Sequence, residues 1–409
     1  MPADSRLALI SPQLPPAHDA IGEYTAELAV ALSAQSRVTV LTSRADSVQE
    51  LPNVAISQCF SLEGANRFKG LSAALAVADA TACVFQYNPF AWGRRGWAPD
   101  LVSLVRNLRT RRPDMTVAVM FHETYMMNQG IKAWIMRQYQ WHQYDALLRL
   151  ADVSFFSIQA WMRQEQVRGV ARRVVHLPVG SNLPKSHAGR LETRARWQIR
   201  SDSFVCGIFG GLHVTRRLAW VGRLMNRLAR LSRRHVSLLC IGGQSDGVLK
   251  ELNLLPEPNL TVICTGRLPP LEAADAIAAC HLMLSPFSDG ISSRRGSAIG
   301  ALQQGVPLAS TDGDLTDCFW RGRQNAGIHL APADDETAWS NMVVDVALNQ
   351  SFTAESKAQL HAFFDRHFSW NSISIALRAA LAGIPCDAET NAQEPREAPL
   401  DPIRAAVLH

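Results

Sequence analysis

Residues 285–310 read SPFSDGISSRRGSAIGALQQGVPLAS, and the fold turns on how this stretch is parsed. The apolar run at 281–284 before it predicts a buried strand. A polar loop follows, carrying Ser288, Asp289, Gly290, Ser292, Ser293, Arg294, Arg295 and Gly296. Residues 297–304 predict a small-residue helix closed by Gly305, and Pro307 opens another apolar run. A loop of this kind, feeding a helix N-terminus, suits an anion. The first-turn N–H groups have no intrahelical acceptors, the dipole adds partial positive charge, and two arginines add forked donors. Asp289, the only carboxylate in the loop, is suited to accept hydrogen bonds from hydroxyl groups. Phosphate at one end and hydroxyls at the other describe a nucleotide-sugar. The plainer reading is a polar loop with solvated arginines and Asp289 in an Asx-turn before Gly290.

The same grammar extends outward. Residues 204–209 predict a strand, then Gly210 and Gly211 open a loop that ends in Arg216 and Arg217, and 219–232 predict a helix. Strands at 236–241, 260–264 and 307–309 and helices at 271–279 and 337–349 continue the alternation. In the first half, strands are predicted at 7–10, 38–41, 54–56, 82–86, 116–121, 153–156 and 174–177, and helices at 23–34, 98–111 and 132–150. Strands alternating with helices predict parallel sheets covered on both faces, with ligands at the carboxyl ends of the strands. Residues 178–200 hold Pro and Gly without an apolar period and predict a linker. The expectation is an α/β chain of two Rossmann-like, doubly wound domains facing across a cleft.

Bulk composition narrows the function. The chain has 409 residues, more than one core usually holds. Net charge is +5, too mild to imply nucleic acid. Eight cysteines show no CxxC pair and no zinc spacing. Cys83, Cys206, Cys240 and Cys264 sit in apolar runs and predict buried thiols of a reducing compartment. No apolar run is long enough to span a bilayer, the stretch at 71–87 being broken by Asp79. The polar start lacks a signal-peptide pattern, so a cytoplasmic location is expected. Arg223, Arg227, Arg230 and Arg234 share one helix face, opposite Val221, Leu224, Leu228 and Leu231. Arg106, Arg109, Arg111 and Arg112 form a second cluster, near Gly93-Arg94-Arg95-Gly96. Such faces are either solvated or contacts with an anionic membrane, at its inner face. Asp312-Gly313-Asp314 is read as a turn after a strand, and no metal or other cofactor is expected.

With these residues placed, the chain resembles the retaining family 4 glycosyltransferases of bacterial polysaccharide and glycolipid synthesis, which have the GT-B architecture. PPAHDAIGEYTAELAVAL resembles that family's opening loop and helix, and His122 matches its strand-end histidine. LPVGSNL, IFGGLHVTRR, SDGISSRRGSAIGALQQGVPLAST and HFSWNSISIAL resemble its later motifs, in order, over nearly the whole chain. The family's two glutamates are missing: Asp289 best matches the first, and the second falls near Ser297 or Gly300. The loop after Asp289 is longer by about three residues and carries Arg294 and Arg295. Gly211 replaces the family's arginine, and Arg217 replaces its lysine.

The resemblance implies an acceptor-side domain at 1–185 and a donor domain at 186–367. It also implies a closing helix at 368–384 that packs back on the first domain; the polar tail at 385–409 is expected to be disordered. It implies a sugar transferred from a nucleoside-diphosphate-sugar to a saccharide or lipid-linked acceptor, with retention. Donor binding falls to Gly22, Gly210, Gly211, Arg216, Arg217, Asp289, Gly290, Ser292, Arg294, Arg295, Gly296 and Ser297. Catalysis falls to His122, Asp289 and Arg217. The acceptor side falls to Gln86, Tyr87, Asn88 and Glu123. Two other readings stay open: a non-catalytic nucleotide-sugar-binding or scaffold subunit, favoured by the missing glutamates, and a sugar-nucleotide epimerase of the same fold.

Overall fold

The computed structural model describes residues 5–125, 130–349 and 352–384. It divides into two compact units: Met1–Pro178 with Trp370–His409, and Val179–Ser369. The sequence reading had placed these divisions after residues 185 and 367. The tail expected at 385–409 lies outside the described residues.

The first unit runs β1 (Arg6–Ser11), α1 (Ala20–Ser33), β2 (Arg37–Ser43), β3 (Val54–Phe60), α2 (Lys69–Val77), β4 (Ala82–Tyr87) and the short α3 (Pro89–Trp92). It continues through α4 (Pro99–Arg111), β5 (Thr116–Phe121), α5 (Ile131–Leu150), β6 (Val153–Phe156), α6 (Gln159–Arg168) and β7 (Val174–His176). All strand pairs are parallel, in the order β3-β2-β1-β4-β5-β6-β7. β4 and β6 are buried along their whole length, and β5 in all but its first residue. That is why they read as unbroken apolar runs: helices cover both faces of a parallel sheet.

The second unit contains α7 (Arg190–Arg196), β8 (Phe204–Phe209), α8 (Leu218–Leu231), β9 (Val236–Ile241), α9 (Ser245–Leu252), β10 (Leu260–Cys264) and α10 (Pro270–Ala278). Then come β11 (Leu282–Ser285), α11 (Gly296–Gln303), β12 (Leu308–Asp312), β13 (Ile328–Pro332), α12 (Glu336–Asn349) and α13 (Ala354–His367). Its sheet order is β10-β9-β8-β11-β12-β13, all parallel. Side chains alternate between two cores. Val205, Leu239 and Met283 face one layer, and Cys206, Leu238 and Leu282 the other. The last helix, α14 (Trp370–Leu381), belongs to the first unit and packs on α1, burying Ile373, Leu377 and Ala380.

Several elements correct the sequence reading; α2, α3, α6 and α9 are short helices it did not contain. The expected linker at 178–200 holds α7. Its buried side chains are Thr193 and Arg194, and the Arg194 guanidinium donates to the Ala279 carbonyl at 2.7 Å, so no apolar stripe announces the helix. β13 and α13 were also not expected. α1 starts at Ala20 rather than residue 23, because Asp19 caps it by accepting from the Gly22 N–H at 2.7 Å.

Candidate functional site

In both sheets the strand order reverses beside the first strand of the unit, between β1 and β4 and between β8 and β11. The loops leaving two such strands diverge and open a crevice at their carboxyl ends. In the second unit those loops are the two glycine- and arginine-bearing stretches. They are stitched together by backbone: Ser288 N–H donates to Thr215 O at 2.8 Å, and Arg217 N–H to Pro286 O at 3.0 Å. Arg216 and Phe287 form an isolated antiparallel bridge. The sequence showed two separate anion loops; the structure makes them one surface.

Within it, Arg295 is buried, 8% exposed, at the N-cap of α11. Its guanidinium lies 4.2 Å from the Phe287 ring centroid, and Nη2 is 2.5 Å from both Asp289 carboxylate oxygens. Arg294 approaches the same carboxylate at 3.8 Å. Asp289, expected to hold sugar hydroxyls, is therefore the counter-ion of this arginine pair. Arg216 donates through Nη1 to Gly211 O at 3.0 Å, while Nη2 is buried with no hydrogen-bond partner among the described residues. Burial, with the Arg295 charge second, pushes Arg216 down to about 10, so it stays cationic at neutral pH. Ser285 Oγ and Ser292 Oγ are likewise buried without partners among the described residues. Arg217 differs: it is exposed at the N-cap of α8, 5.3 Å from the Trp220 ring centroid.

Gly290 has φ +81, and a Cβ there would meet Thr316 Oγ1 at 2.2 Å and Gly313 N at 2.4 Å. Only glycine allows this approach. The Asp312-Gly313-Asp314 segment is thus a turn seated against the anion loop, and Asp312 is paired with Arg321 at 2.9 Å. Gly210 and Gly211 open the β8 loop, and Gly296 and Ser297 form the first turn of α11.

One loop residue went unnoticed in the sequence. His213 hydrogen-bonds Thr215 Oγ1 at 2.8 Å. Burial first, then the Arg295 and Arg294 charges, lower its pKa. Its only signal was its place between the glycine pair and the arginine pair.

In the first unit, the end of β5 sets His122 beside β4. His122 Nε2 is 2.7 Å from Gln86 Oε1, and the His122 N–H donates to Tyr87 O at 2.9 Å. Tyr24 of α1 lies edge-on to the imidazole, 4.7 Å between centroids, and edge-on to Trp370 of α14 at 5.2 Å. Burial pushes the His122 imidazole down to about 3, so it is neutral at physiological pH. Gln86 is fully buried, and its Nε2 has no partner among the described residues.

Period-two alternation then separates neighbours the sequence had grouped. Tyr87 points into the core against Phe121, 2% exposed, and neither it nor the fully buried Gln86, which turns to His122, presents an exposed acceptor surface. Asn88 caps α3, accepting from the Phe90 N–H at 2.9 Å. Glu123 follows His122, half-buried. Gly22 lends its N–H to Asp19 and sits where a Cβ would meet Gln13 O at 2.8 Å, so its role in this unit is close helix–loop packing.

No group of three or more His, Cys, Asp or Glu side chains among the described residues could hold a metal ion. A cavity of about 800 Å³ opens at the opposite edge of the second sheet, lined by Phe204, Val236, His281 and Pro307 at the strand starts. The site is located by the paired loops and their unmatched donors, not by this cavity.

The fold is one that solved glycosyltransferase structures share. No protein-family model matches the chain, and no curated protein matches it by sequence. Solved structures do match over nearly all of it. Sucrose-phosphate synthase from Thermosynechococcus elongatus superposes with a TM-score of 0.68 at 16% identity, covering 93% of this chain and 98% of that one. HepE from Anabaena, solved in complex with UDP and glucose, gives 0.64 at 13% identity, covering 93% and 100%. WaaG, a glycosyltransferase involved in lipopolysaccharide biosynthesis, gives 0.61 at 13% identity, covering 92% and 100%.

Proposed function

We propose that the protein transfers a sugar from a nucleoside-diphosphate-sugar to a saccharide or lipid-linked acceptor, with retention at the anomeric carbon. The observation that carries this reading is the buried Arg216 guanidinium, whose Nη2 has no acceptor among the described residues. It sits in a surface with four arginines, Arg216, Arg217, Arg294 and Arg295, against one aspartate. An unmet buried charged donor costs roughly 1–3 kcal/mol or more, and like charges are held near it. An anion repays both costs. A departing nucleoside diphosphate is such an anion, and fixed cations with helix N–H groups stabilise the charge that develops on it. Its ribose or sugar hydroxyls would meet Ser292, Ser297 and the Asp289 edge.

A neutral His122 suits hydrogen bonding to the transferred sugar rather than proton transfer. Same-face transfer needs no protein nucleophile, which is consistent with one carboxylate, already engaged, in the arginine loops. HepE was solved with UDP and with UDP-glucose, which makes these the first ligands to try. The test is calorimetric titration of the full chain with UDP, followed by product analysis with UDP-sugars and other nucleoside-diphosphate sugars plus oligosaccharide or lipid-linked acceptors. Absence of nucleoside-diphosphate binding ends the reading.

The Asp289–Arg295 pairing favours a second reading, a subunit that binds nucleotide-sugar without turning it over. Diphosphate binding with neither transfer nor donor hydrolysis would select it.

A further inference from the structure

Most arginines of the two faces read as either solvated or membrane-facing are engaged within the protein. Arg223 pairs with Glu336 at 2.6 Å, Arg227 donates to Ser340 Oγ at 2.9 Å, and Arg230 pairs with Glu257. In the other cluster Arg109 pairs with Asp152, and Arg112 with Asp114 at 2.9 Å. Charges already paired offer an anionic surface little.

A different surface of the first unit has the complementary chemistry. Among the described residues, the exposed phenylalanine and tryptophan side chains are Phe90, Trp97 and Trp134, at 48%, 54% and 60%. All three fall on α3, the turn after it, and the start of α5. Ile131 and Ile135 join them at 81% and 51% exposure. The turn that carries Trp97 is joined to α5. Residues 131, 135 and 139 recur at four-residue spacing on one side of α5. Tyr139 donates to Arg95 O at 2.6 Å and meets the Trp97 ring edge-on at 5.1 Å. Gln143 Nε2 donates to Gly96 O at 2.8 Å, and Gln143 Oε1 accepts from the Ala98 N–H at 2.6 Å. The turn is therefore fixed on the helix.

Residues 89–99 and 130–139 contain Arg94, Arg95, Lys132 and Arg137 and no aspartate or glutamate. Arg94, Arg95 and Lys132 are exposed. Both segments leave the carboxyl edge of the first sheet, after β4 and after the β5 end that carries His122.

We propose that this surface seats the protein on an anionic lipid bilayer. Tryptophan and isoleucine enter the interfacial layer while the arginines and lysine meet lipid phosphates. The edge carrying Gln86 and His122 then lies where a lipid-borne molecule is within reach. An exposed cluster of this size is otherwise an aggregation liability, and its uniform charge matches a negative surface.

The test is co-sedimentation of the full chain with vesicles of phosphatidylcholine alone and of phosphatidylcholine with phosphatidylglycerol. Lipid binding needs no sugar transfer, so the result stands apart from the proposed reaction. The bound fraction should rise with phosphatidylglycerol and fall with salt. Trp134→Ser with Ile135→Ser, and separately Arg94→Ser with Arg95→Ser, should each lower the partition coefficient about tenfold or more. Arg223→Ser with Arg230→Ser should change it less than about twofold. Thermal unfolding of each variant confirms that it is folded. Equal binding to neutral vesicles overturns the proposal, as does wild-type binding by both patch variants. A patch variant that alters only the mass in sedimentation equilibrium, without lipid binding by the wild type, also overturns it and makes the surface a protein contact.

Discussion

Arg295 Nη2 lies 2.5 Å from both carboxylate oxygens of Asp289, and both side chains are close to fully buried. Removing one partner of such a pair leaves the other charged and unpaired in a poorly solvated place, at a cost of about 3–5 kcal/mol. Asp289→Ala should lower stability to chemical denaturant by that order. Inorganic pyrophosphate should restore part of it by giving Arg295 a new counter-ion. A variant as stable as the wild type would show that the pair has no structural weight.

Arg295 and Arg217 are not equivalent in this surface. Arg295 is buried over Phe287, whereas Arg217 is exposed over Trp220. A fixed, desolvated donor stabilises developing charge more than a solvated one. Arg295→Ala should therefore lower kcat by roughly 10²–10³-fold, and Arg217→Ala by about tenfold. Lysine should not restore Arg295, because a point charge cannot reproduce the planar fork. Wild-type turnover in Arg295→Ala would remove the diphosphate assignment.

His122, His176 and His281 are each pushed down to about 3 by burial, with nearby arginine charge second for His281. The unfolded chain protonates them near 6.5. Unfolding therefore takes up protons between about pH 6.5 and 3, so their contribution is complete above 6.5 and is lost as pH falls towards 3. Unfolding free energy measured against pH should fall through this window, and His122→Gln should make the fall shallower. The pH profile of kcat should show no inflection from His122 near 6.5; one that vanishes in His122→Gln would restore a proton-transfer role.

Asp312 is held by Arg321, and Gly313 rests against the backbone of Asp289 and Gly290. With those groups occupied and the loop charge supplied by arginine, activity should survive dialysis against EDTA. Asp314→Asn should change turnover less than about twofold, whereas Gly313→Val should impair folding through backbone contact at 2.9 Å. Activity that disappears with chelator and returns with magnesium would reverse this view.

Much of the architecture could be read because parallel strands buried on both faces leave continuous apolar runs. Thr116–Phe121 is one, and all seven strands of the first unit were placed. β13 escaped because IHLAP is short and interrupted by His329 and Pro332. α7 escaped because it is anchored by a buried arginine rather than by leucines. At the site, sequence order brought the arginines of each loop together but could not show that Thr215 and Ser288 join the two loops. It also could not show that Asp289 faces Arg295, or that Tyr87 turns inward while Gln86 turns towards His122. Those outcomes depend on pleat direction and on which side chains meet across a sheet, which spacing along one chain does not record.

The helix Trp370–Leu381 packs on α1, yet the entire second unit is synthesised between them. During translation, Tyr24 and the part of α1 that meets Trp370 must wait, uncovered, until the whole second unit has been made. The first half is thus the earlier to be made and the later to be finished. A nascent chain stalled within the second unit would carry a sticky α1, a natural point of attachment for a chaperone.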